Sequence, residues 1–70
     1  MKFSDAIIQI RHKCYLTQSD FAEKIGVSFS TVNRWENGKN VPNMKTIKKL
    51  DAFCKENEIN INLSDCVWGN

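Results

Sequence analysis

Between Thr17 and Ser28, the stretch TQSDFAEKIGVS packs a helix start, a helix stop and a second helix start into twelve residues. No other part of the chain restricts the fold as tightly. Thr17 is placed to cap a helix, with Asp20 three positions on in a capping-box arrangement that uses aspartate. Phe21, Ala22 and Ile25 supply one buried face at helical spacing. Gly26 permits the left-handed backbone of a helix C-terminus without a Cβ penalty. Ser28 then caps the following helix after a very short turn, so Ala22 has to be small where the two helices touch.

The flanking segments read as helices too. Phe3, Ile7, Ile10 and Cys14 keep to one stripe, which predicts a first helix over 3–13, linked by Tyr15 and Leu16 to the second. The helix opened by Ser28 runs to Asn37. At about 100° per residue, Val32 and Trp35 fall on its inner side, whereas Ser30, Asn33, Arg34 and Asn37 share the outer side. Asn37-Gly38 would suit a hairpin, but the residues before it have a helical period, so Gly38 is a helix terminator. The loop KNVPN leads into a fourth helix over about 43–56, with apolar Met44, Ile47, Leu50, Phe53 and Cys54. In the tail, 57–70, Ile59, Ile61 and Leu63 alternate like a strand, while Ser64 can open a last helical turn ending at Gly69. With no repeat or linker, residues 1–70 read as one domain.

Several function classes are excluded by what the chain carries. The cysteines, Cys14, Cys54 and Cys66, form no CxxC pair, and His12 is the only histidine. A tetrahedral zinc site needs four clustered soft ligands, so no metal is expected. The same scarcity leaves no nucleophile and base arranged for catalysis, so no enzyme and no cofactor are expected. Asp5 and Arg11 interrupt any leader-like apolar run, and no stretch approaches the roughly 20 apolar residues of a membrane span. A reduced, cytoplasmic setting is expected, with the cysteines as small packing residues. Folding of so short a chain buries only about 60% of its unfolded surface, and such marginal cores gain from oligomerisation.

The net charge of +2 says little, but its distribution is uneven. Between 34 and 49, Arg34, Lys39, Lys45, Lys48 and Lys49 face only Glu36; beyond 50, Lys55 faces Asp51, Glu56, Glu58 and Asp65. The outer row of the third helix has no acid before Glu36, although a wet helix face ordinarily mixes both signs. Such a row suits a polar, anionic partner.

Taken together, LTQSDFAEKIGVSFSTVNRWENGKNVP resembles the Cro and phage-repressor family of helix-turn-helix proteins, called XRE-like, over roughly residues 3–53. The resemblance implies an all-α, compact four- to five-helix bundle that binds double-stranded operator DNA as a twofold homodimer, with residues 28–37 as the helix in the major groove. It implies base contacts by Phe29, Ser30, Asn33 and Arg34. Arg34 suits a fork onto guanine O6 and N7; Asn33, where it reaches, suits adenine N6 and N7; and Ser30 pairs with several edges. Phe29 either packs on a thymine methyl or covers the edge of the core. Gln18 matches a family glutamine that contacts phosphate and braces the recognition helix, and Asn37, Lys39 and Asn40, just beyond that helix, are placed to clamp phosphate. Arg11 and Glu36 match a structural ion pair, and Trp35 belongs to the core.

The chain departs from the family at Tyr15, where glycine is common; a tyrosine at positive φ carries strain, which leaves the path of this turn open. Ile8, His12 and Tyr15 share a side of the first helix that the tail is expected to cover, a partner surface being the alternative. The apolar tail residues, including Val67 and Trp68, either cap the monomer or pair two copies on a palindromic operator. A small repressor-like transcriptional regulator is the function these features imply. The alternative is an antitoxin or a protein-interaction module of a toxin–antitoxin or restriction–modification system.

Overall fold

Short polar side chains fix where this chain enters three of its four α-helices. The computed structural model describes residues 1–66. Its elements are α1 (Phe3–Lys13), α2 (Gln18–Ile25), α3 (Phe29–Glu36), α4 (Met44–Glu56) and a closing 3₁₀ turn, Leu63–Asp65. The Thr17 hydroxyl accepts from the Asp20 N–H at 3.1 Å, Ser28 from Thr31 at 3.1 Å and the Asn43 amide oxygen from Thr46 at 3.0 Å. Each such cap contributes about 1 kcal/mol.

All four helices stop in the same way, with one residue in the left-handed region and the next N–H reaching back over the last turn. Leu16 donates to the Arg11 carbonyl at 3.2 Å, Val27 to Ala22 at 2.9 Å, Lys39 to Arg34 at 2.9 Å and Ile59 to Cys54 at 2.8 Å. The left-handed residues are Tyr15 (φ 57°), Gly26 (84°), Gly38 (71°) and Glu58 (56°). The turn at Tyr15 thus takes the positive-φ path despite its side chain. The bonds to Arg11 and His12 carbonyls satisfy the end of α1 and hold the strained residue in place.

α3 packs against both α1 and α2, and α4 packs against α2. Phe3, Ile7 and Ile10 of α1, Phe21 and Ile25 of α2, Val32 and Trp35 of α3, and Leu50 of α4 form one buried cluster. Trp35 is only 2% exposed and meets Phe3 edge-to-face at 5.9 Å; Phe21 meets Phe53 likewise at 5.5 Å. These ring pairs fix the spacing of α1 to α3 and of α2 to α4. Ala22 is buried where a larger residue would push α2 away. Among the described residues, no helix is long and apolar enough to cross a membrane.

Three expectations change. Met44 lies in the first turn of α4, ahead of the part that packs on α2, and is 67% exposed, so the buried stripe begins later. No strand forms over 59–63; the chain crosses the bundle irregularly and tucks Ile59 and Leu63 into the core before its 3₁₀ turn. The described tail does not cover the far side of α1: Ile8 is half-buried, but His12 is exposed and Tyr15 is 96% exposed. Val67, Trp68 and Gly69, on which the tail's pairing role and last helical turn were placed, lie outside the described residues. The cysteines are unbridged. Burial, with smaller contributions from Asp51 and Cys14, pushes the Cys54 thiol up to about 11, so it packs as a neutral group.

Tyr15 has almost no packing to lose, and a left-handed conformation costs an L-residue roughly 1–2 kcal/mol. Part of that gain is offset by the greater freedom of glycine in the unfolded chain. Tyr15→Gly is therefore expected to stabilise the domain by about 0.5–1 kcal/mol, seen as a rise in Tm of a few degrees. An unchanged or lower Tm would show that Tyr15 makes a compensating interaction.

Candidate nucleic-acid interface

The outer face of α3 stands on a continuous line of hydrogen bonds. Arg11, near the end of α1, forks onto Glu36 at the end of α3: its Nε donates to Oε2 at 2.7 Å and its Nη2 to Oε1 at 3.0 Å. Its Nη1 donates to the Leu16 carbonyl at 3.0 Å, tying the same guanidinium to the link before α2. Glu36 Oε1 also accepts from Gln18 Nε2 at 2.9 Å. Gln18 Oε1 in turn accepts from Asn33 Nδ2 at 3.3 Å. Asn37 Nδ2 closes the line, donating to the Asn33 backbone carbonyl at 2.9 Å and to Asn33 Oδ1 at 3.1 Å. Three helices are thereby joined through five side chains.

The charges in this line are balanced internally. The Arg11 and Glu36 side chains are 16% and 7% exposed. Burial pushes the Glu36 carboxyl up, yet hydrogen bonds from Arg11 and Gln18 and the charges of Arg11 and His12 together hold it below its ordinary value. The Glu36 hydrogen bond holds Arg11 above its own, against the opposing effect of burial. The one acid near the outer row is therefore neutralised in place, and α3 has no acid in its first turn.

The remaining residues of the candidate surface are open. Ser30 and Arg34 are exposed on the outer face of α3, Asn33 is half-buried beside them, and Phe29 is 50% exposed at the start of the helix. Lys39 and Asn40 are exposed just past α3, and the Lys39 backbone closes the helix end. Asn37 is exposed, but its amide nitrogen is spent on Asn33, which leaves it an acceptor where a phosphate needs a donor. Gln18 keeps one amide N–H beyond its bond to Glu36. The Gln18–Asn33 and Asn33–Asn37 bonds were not foreseen. The second has a signal, since residues four apart on a helix meet; the first joins two helices and has none.

The family model described as helix-turn-helix matches residues 7–58. The HTH-type transcriptional activator BcrR of Enterococcus faecalis is 38% identical over 53 residues, which are 76% of this chain and 26% of that protein. The chain thus spans about a quarter of the length of this curated relative. No solved structure matches it.

Because Glu36 titrates below its ordinary 4.5 when folded, its contribution to stability is complete above that pH and is lost as pH falls through the lower, folded value. Glu36→Gln is expected to cost about 1–3 kcal/mol at pH 7, leaving Arg11 short of its charged partner, and to flatten the acid limb of a plot of Tm against pH. Parallel acid limbs for the two proteins would show that the pair carries none of the pH dependence.

Proposed function

The chain belongs to the helix-turn-helix family, of the Cro and phage-repressor-like (XRE) type, and on that footing we propose that it is a transcriptional regulator that binds double-stranded DNA sequence-specifically. The observation that carries the reading is the acid-free outer face of α3, braced on an internally neutralised Arg11–Glu36–Gln18 base. In this reading α3 lies in the major groove. Arg34 forks onto guanine, Ser30 meets a neighbouring edge, Asn33 reads a base, and Phe29 packs on a thymine methyl. Phosphates are held by the free amide N–H of Gln18 at the start of α2 and by Lys39 and Asn40 beyond α3.

Two copies act together on a palindrome. The domain's longest dimension is 26 Å, less than the roughly 34 Å between successive major grooves on one face of DNA. One copy therefore covers a half-site, and a closed twofold pair covers two. Repression is the mode assigned, because occupancy of a promoter suffices for it. BcrR is named an activator, so a reporter whose promoter overlaps the site decides the sign.

Arg34→Ala is expected to weaken the preferred duplex by about 1–3 kcal/mol and to relax one base position. Equal losses on preferred and random duplexes would contradict base readout. Lys39→Ala is expected to weaken all duplexes alike and to make the slope of log affinity against log salt shallower by about one. An unchanged slope would remove Lys39 from the phosphate contacts.

A further inference from the structure

The hydrogen-bond line beneath α3 also sets which way the Asn33 amide faces, and that orientation can be traced from both ends. Arg11 only donates and the Glu36 carboxylate only accepts. Gln18 must therefore turn its nitrogen toward Glu36, as it does at 2.9 Å, which points its oxygen at Asn33. Only the nitrogen of Asn33 can answer that oxygen, at 3.3 Å. From the other side, Asn37 is held by the Asn33 backbone carbonyl, an acceptor, at 2.9 Å, so its nitrogen also faces Asn33 Oδ1 at 3.1 Å. Reversing Asn33 alone would set oxygen against oxygen and nitrogen against nitrogen. Neither neighbour can reverse to relieve this, because each is anchored by a group with only one role.

An asparagine amide has two N–H groups and two lone pairs. Gln18 takes one N–H and Asn37 one lone pair, so one donor and one acceptor remain. Of the four bases taken singly, only adenine presents a donor beside an acceptor in the major groove, N6–H and N7. Guanine offers two acceptors and would set O6 against Asn33 Oδ1. Cytosine offers a lone donor, and thymine an acceptor beside a methyl group. We infer that Asn33 is an adenine-reading residue, and that Gln18 and Asn37 are the positioning residues that fix its reading edge. This rests on the DNA-binding reading above. It makes Asn37 a residue that acts through Asn33 and contributes nothing to phosphate affinity.

The test is selection of duplexes from a random pool by the full chain, by Asn33→Ala, Asn33→Asp and Asn37→Ala, with a thermal melt of each. The unsubstituted chain is expected to fix adenine at one position of each half-site. Asn33→Ala should lower the preference there by about 10-fold and leave the other positions alone. Asn33→Asp, an acceptor only, should move that position toward cytosine, a switch that a purely structural asparagine would not produce. Asn37→Ala should relax the same position several-fold without changing affinity for random DNA. A selected site with no adenine sensitive to position 33, or adenine retained by Asn33→Asp, overturns the inference. A uniform loss on all duplexes with Asn37→Ala returns Asn37 to the phosphate contacts and overturns its positioning role. Recovery of no preferred duplex by the unsubstituted chain would instead refute the DNA-binding reading itself.

Discussion

The fork of Arg11 onto Glu36 is the joint on which the arrangement of this small bundle depends. α1, the link into α2 and the end of α3 all meet at one guanidinium. A partly buried pair of this kind does not have to add net stability, because desolvation offsets much of the attraction. What it adds is geometry. The planar guanidinium fork matches a carboxylate in one arrangement, so it fixes the rotation of α3 about its own axis as well as its distance from α1. The apolar contacts of Val32 and Trp35 define an inner face for α3, but apolar packing alone tolerates small rotations that polar readout does not.

Much of the fold was legible in the sequence because it is written in local rules. Thr17, Ser28 and Asn43 announce helix starts through a hydroxyl or amide oxygen, and Gly26 and Gly38 announce stops through their freedom at positive φ. Periodicity assigned Phe3, Ile7, Phe21, Val32, Trp35 and Leu50 to the inside, where all six are buried. Reading failed where the outcome depends on tertiary position. Met44 fits the stripe of α4 but lies beyond the elements that could cover it. Ile59, Ile61 and Leu63 alternate as a strand does, yet among the described residues no strand pairs with them, and Ile59 and Leu63 pack into the core individually. Tyr15 forms a stop that glycine usually forms, because the hydrogen bonds of the turn outweigh its strain.

The candidate surface divides along the same line. Its membership follows from helical spacing, which puts Ser30, Asn33, Arg34 and Asn37 in one row. How those side chains are committed to one another does not follow. The link from Gln18 to Asn33 spans fifteen positions and exists only because α2 and α3 are held at one angle. Spacing shows which residues share a face; the joint beneath the face determines what hydrogen-bonding capacity each has left for a partner.

The four helix stops share one geometry but differ in the residue that adopts it, and so in strain. Glycine terminates α2 and α3, whose ends flank the outer face, while Tyr15 and Glu58 terminate α1 and α4. A glycine stop stores little strain, whereas a left-handed L-residue lowers the free energy needed to open the turn around it. Backbone strain is thereby placed at 15 and 58, outside the α2–α3 unit. The two stops that bound the α2–α3 unit are thus free of the backbone strain that the stops of α1 and α4 carry.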